Sequence, residues 1–113
     1  MIDVTPQTIV DIKSLTDPIE SDWSNFVLAK NNNHVIRVSV MRRDFHWHSH
    51  EDSDETFLVL EGQLALDFED YTVHLLPGQL ITVPKGVIHR TRAKGRSVNL
   101  TFELANTNIE GDT

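Results

Sequence analysis

From about residue 35 onward, apolar side chains recur at every second position, as in Leu64, Leu66 and Phe68 and again in Val98, Leu100, Phe102 and Leu104. A period of two marks a strand with one face buried. On this pattern the predicted strands are Val35–Arg42, Thr56–Leu60, Leu64–Glu69, Thr72–Leu75, Leu80–Val83, His89–Ala93 and Ser97–Leu104. The spacers between them are turn formers: Glu61-Gly62-Gln63, Glu69-Asp70-Tyr71 and Leu76-Pro77-Gly78. Most of the runs are too short for helices. Many short strands must close on one another to protect their edges, so the pattern predicts an all-β sandwich or barrel over residues 35–104.

The first 34 residues carry a weaker pattern. Ile9, Ile12 and Leu15 share one helical face that Asp17-Pro18 ends, Trp23 to Lys30 reads as extended, and Asn31-Asn32-Asn33 turns into the first clear strand. This part is expected to form an extension of strand and short helix outside the barrel, packing against a second copy in a homodimer. Residues 105–113 are polar and are expected to be a flexible tail.

Composition narrows the function classes. The chain has 113 residues, enough for one modest core and too few for two. With 10 Lys and Arg against 17 Asp and Glu, the net charge is −7, which argues against nucleic acid as a partner. No apolar run reaches the length of a membrane span, and the opening MIDVTPQTIVDIKS lacks the apolar core of a signal peptide. The expected location is cytoplasmic. The absence of cysteine removes thiolate metal sites and cysteine nucleophiles together.

Histidine is the unusual item: six in all, three of them within residues 46–50. On an extended chain His48 and His50 point to one face, and carboxylates follow at Glu51, Asp52, Asp54 and Glu55. Two imidazoles beside carboxylates suit a divalent metal, although an exposed histidine-rich stretch can equally be solvated surface. A third imidazole must come from elsewhere, and His89 follows the turn Pro84-Lys85-Gly86.

These residues together resemble the cupin superfamily. His48-Ser49-His50, four residues, Glu55, six residues, Gly62 is similar to the first cupin motif. Gly78, five residues, Pro84-Lys85-Gly86, two residues, His89 is similar to the second. Two departures stand out: Ala93 occupies the position of a motif asparagine, and Arg42 lies where the first motif opens with glycine. The resemblance implies a double-stranded β-helix, or jelly-roll barrel, with one divalent metal in its mouth. It further implies His48, His50, Glu55 and His89 as the ligands, with Fe, Mn, Ni or Zn as the candidate ion. Such a set gives a site charge of about +1 and leaves positions open for water or substrate.

Neighbouring residues are read as follows. Glu51, Asp52 and Asp54 are expected in a solvated loop, His34 and His74 on the surface, and Trp47 pointing outward. His46 shares the parity of His48 and could stand beside the metal. Strand alternation turns Arg90 and Arg92 outward and puts Phe57 and Val59 on the inner face with Glu55. The lumen is therefore expected to be apolar and poor in acids and bases. A small oxygen-chelating metabolite fits that description, handled by an isomerase-like enzyme, by an iron or nickel dioxygenase, or by a non-catalytic binding module.

Overall fold

Two antiparallel sheets carry the chain in the computed structural model, which describes residues 5–108 and 111. After the short helix α1 (Ile12–Thr16) come β1 (Trp23–Asn31), β2 (His34–Met41), β3 (Glu55–Glu61), β4 (Leu64–Phe68), β5 (Thr72–Leu75), β6 (Leu80–Val83), β7 (His89–Arg92) and β8 (Ser97–Leu104). One sheet has the order β1-β2-β8-β3-β6 and the other β5-β4-β7. The seven strands predicted from the two-residue period all form, with ends within one residue of expectation. Gly62 turns the chain from β3 into β4 at φ +75°, where a Cβ would strike the Arg96 carbonyl.

The reading of residues 1–34 as an extension outside the barrel does not hold for β1. It pairs antiparallel with β2 from Trp23↔Met41 to Asn31↔His34 and is the edge strand of the larger sheet. The helix is where the Ile12 and Leu15 spacing puts it, capped by Asp11, whose side chain accepts from the Ser14 amide. Residues 1–4 of the extension, and 109, 110, 112 and 113 of the tail, lie outside the described residues.

Among the described residues there are two apolar clusters, one on each face of the larger sheet. Met41, Phe57, Val59, Leu64, Leu66, Leu75, Val83 and Ala93 fill the space between the sheets. On the opposite face, Leu28, Val38, Val40, Val98 and Leu100 are covered by Val10, Ile12, Leu15 and Ile19 of the leading segment. The alternating apolar residues of β8 therefore face away from the barrel interior. Their intervening neighbours Ser97, Asn99, Thr101 and Glu103 face inward, and all four are buried. This corrects the expectation of an apolar lumen: one wall of the interior is polar.

Candidate metal centre

Main-chain pairing brings the distant histidines together. The extended segment around His48 bonds to the start of β7, with the His48 and His89 amides each donating to the other's carbonyl at 2.9 Å. The Gly86 amide donates to the His50 carbonyl at 2.7 Å, and the Lys85 amide to Asp54 Oδ1 at 2.9 Å. The Pro84-Lys85-Gly86 turn is thus tied to the histidine segment by its own backbone. Glu55, the first residue of β3, completes the group from the larger sheet.

His48, His50, Glu55 and His89 are all buried, and one ligand atom from each lies within 4.8 Å of the others. Donors about 2.1 Å from a common ion sit up to about 4.2 Å apart, so closure on a metal needs only small side-chain shifts. The imidazoles are oriented for it. Nδ1 of His48 donates to the His46 carbonyl at 2.8 Å, and Nδ1 of His89 to the Val87 carbonyl at 2.9 Å. Those bonds fix the tautomer that leaves each Nε2 lone pair free to ligate. His50 Nε2 and His89 Nε2 stand 3.2 and 3.4 Å from the same Glu55 oxygen. Glu55 Oε1 and His89 Nε2 are buried without a hydrogen-bond partner among the described residues. Buried polar atoms of this kind cost free energy unless something satisfies them, and a divalent cation would satisfy both. The residues fit a metal.

Protonation follows the same logic. Burial, aided by the neighbouring imidazoles, pulls His48 down to about 4, so it is neutral and ligand-ready at ordinary pH. Burial alone would raise Glu55, but His50 and His89 outweigh it and hold the carboxyl at about 2.

Among the other expected neighbours, Glu51, Asp52 and Asp54 are exposed, and so are His34 and His74. The His46 ring is exposed too, and its part in the centre is the carbonyl that orients His48. Trp47 points out with the Arg90 guanidinium 5.0 Å above its ring. Arg90 and Arg92 face away from the interior and clasp buried Asp67 at 2.7 and 2.6 Å. Arg42 bonds the carbonyls of Glu20 and Ser21, fastening the approach to β1, and Ala93 packs into the interior cluster. Gly111 lies against His48, where a Cβ would come within 2.9 Å of the ring's Cγ.

One interior carboxylate is not announced by the sequence pattern's apolar positions. Glu103 on β8 is fully buried, and its Oε1 pairs with Arg37 Nε on β2 at 3.1 Å. Burial and the adjacent Glu55 charge push its carboxyl up to about 8, with Arg37 opposing. The signal was present in β8, whose polar positions 97, 99, 101 and 103 alternate as strictly as its apolar ones. A cavity of about 40 Å³ reaches inward from His48 and Glu55, with Asn25, Ser39, Asn99, Thr101 and Glu103 on its polar side. Trp23, Met41, Phe45 and Phe57 line the other side, Trp23 and Phe45 stacked at 5.9 Å.

The fold and this site define a small β-barrel protein with a histidine-carboxylate group able to hold a metal. The family model for the cupin domain matches residues 35–103, and the chain belongs to the cupin superfamily. Over 94 residues it is 38% identical to the uncharacterized protein YdbB of Bacillus subtilis (strain 168), covering 82% of this chain and 83% of that one. A cupin-2 domain containing protein from Shewanella frigidimarina NCIMB 400 has a similar structure, with TM-score 0.80 and 30% identity over 85% of this chain and 94% of that one. A cupin superfamily protein from Desulfitobacterium hafniense DCB-2 shares the fold at TM-score 0.74 and 22% identity, over 89% and 94% of the two chains. Among the described residues no helix is long and apolar enough to cross a membrane.

Proposed function

We propose that this cupin holds one divalent metal through His48, His50, Glu55 and His89 and binds a small oxygen-chelating molecule there, on which it carries out an isomerase-type proton transfer. The observation behind this reading is a convergence: His48 and Glu55 of the candidate ligand group and the buried carboxyl of Glu103 line one cavity. When bound, the metal would polarise a chelated carbonyl and stabilise developing negative charge. In its ionised form Glu103 would take a proton from the carbon beside that carbonyl and return it to the carbonyl carbon, while the hydroxyl proton passes to the carbonyl oxygen, so atoms balance and no oxidant is consumed. Arg37 holds the Glu103 side chain, and the aromatic wall limits water. The same proposal includes a homodimer, for which Ile9 and Leu80 present apolar surface at 94% and 60% exposure, and a cytoplasmic location. A chain that stays monomeric by light scattering at high micromolar concentration would remove the dimer.

The test is solvent deuterium exchange into a panel of small hydroxycarbonyl compounds, read by mass spectrometry with metal-loaded protein. Exchange that disappears in Glu103→Gln with metal content unchanged supports the proposal. The apolar wall of Trp23, Met41, Phe45 and Phe57 favours a second reading, an iron or nickel dioxygenase. Oxygen consumption without exchange would establish that one instead. Binding with neither signal would mean a non-catalytic module.

A further inference from the structure

The register of the larger sheet lays a row of neutral polar groups along the cavity wall away from the metal ligands. Asn25 pairs with Ser39 across β1 and β2, Ser39 with Asn99 across β2 and β8, and Arg37 with Thr101 one step along. Asn25 Nδ2 donates to Ser39 Oγ at 2.7 Å, while Asn99 commits one amide hydrogen to Ser97 at 3.4 Å. Asn99 is 1% exposed, Thr101 4% and Glu103 1%, and the second Glu103 oxygen, Oε2, has no hydrogen-bond partner among the described residues. Three features fix what this end of the cavity can take. Its amides and hydroxyls offer both donors and acceptors. Among the described residues lining it, none apart from His48 at the metal end can carry positive charge. Arg37 is occupied, with Nε on Glu103 at 3.1 Å and Nη1 on Asn25 Oδ1 at 3.4 Å. The cavity of about 40 Å³ admits about three water-sized groups.

From this we infer that the inner wall is a hydroxyl-recognising subsite, and that the ligand is a short hydroxylated α-hydroxy or α-keto acid. The inference rests on the metal reading above, because the acid head chelates the ion while the neutral hydroxyl tail meets Asn25, Ser39, Asn99 and Thr101. A second anionic group, carboxylate or phosphate, would meet the Glu103 carboxyl at that end, with the nearby Arg37 already paired to it, and is rejected. A methyl in place of the hydroxyl makes no hydrogen bond to these amides and hydroxyls, and a site built for hydrogen bonds discriminates against it.

Lactate, glycerate and malate keep one α-hydroxy acid head and change only the tail, from methyl to hydroxymethyl to carboxymethyl. Titration calorimetry of each into the full-length metal-loaded protein measures the tail alone. Glycerate should bind about tenfold more tightly than lactate, and malate more weakly than glycerate. Asn99→Leu, and independently Asn25→Leu on the edge strand, should bring the glycerate-to-lactate ratio toward one while metal content stays at the wild-type level. Equal affinity for lactate and glycerate, tighter malate, or a ratio unmoved in both variants would overturn the subsite. Failure of the protein to load metal, or of all three acids to bind it, would instead refute the metal-chelation reading beneath it.

Discussion

Substituting Glu55 tests the metal assignment through folding. The four proposed ligands come from an extended segment, from the start of β3 and from the start of β7, so an ion bound to them would act on the native state alone. At free metal about a thousandfold above Kd, that linkage adds about 4 kcal/mol. For a chain of 113 residues each kcal/mol moves Tm by about 4 °C, so metal should raise the melting temperature by roughly 16 °C. Hydrogen-bond partners of metal ligands are worth about 10–100-fold in affinity, and a ligand itself at least about a hundredfold. Glu55→Ala should therefore lose at least about 2.7 kcal/mol of the stabilisation, or about 10 °C of the shift. Asp52→Ala, in the exposed acidic loop, should keep all of it. The assay is thermal denaturation by circular dichroism with and without zinc or manganese, after chelator stripping. A full shift in Glu55→Ala, or a loss of equal size in Asp52→Ala, would show that the loop carboxylates bind the ion and that the assignment is wrong.

Two further outcomes test the scaffold around the site. Leu66 is fully buried between the sheets, so Leu66→Ala should cost about 3 kcal/mol in urea denaturation, and a loss under about 1 kcal/mol would contradict the packing. The side-chain bonds from Arg92, ahead of those from Thr72 and Arg90, hold Asp67 well below its ordinary 3.8. A carboxylate lowered in the folded state stabilises above its unfolded pKa, and that contribution is lost as pH falls through 3.8 toward the folded value. The stability gap between the wild type and Asp67→Asn should accordingly be widest above about pH 5 and close on acidification. Parallel pH profiles would rule the clasp out as a source of stability.

Strand positions were legible because the two-residue period is a local property, written into each run by its own residues. That His48, His50, Glu55 and His89 come together was legible through the resemblance to the two cupin motifs, and the backbone bonds His48–His89 and His50–Gly86 are what join the two motifs in space. The interior was not. On β8 both residue sets alternate, and parity alone does not say which face turns inward. Here Val98 and Leu100 turn outward because Ile12, Leu15 and Ile19 supply a cover for them, and that cover lies some eighty residues earlier in the chain. With the apolar set assigned to the outer layer, Asn99, Thr101 and Glu103 are left to line the cavity, and no local pattern announces that consequence.

The cover over the larger sheet also limits how this protein can be divided. The family model begins at residue 35, yet Val10, Ile12, Leu15 and Ile19 and all of β1 come before it. A fragment cut at that boundary would bare Val38, Val40 and Leu100 to water and leave β2 as an open edge. The leading segment is thus a structural part of the barrel, and joining residues 35–104 to another leader would require that leader to bring its own apolar face and edge strand.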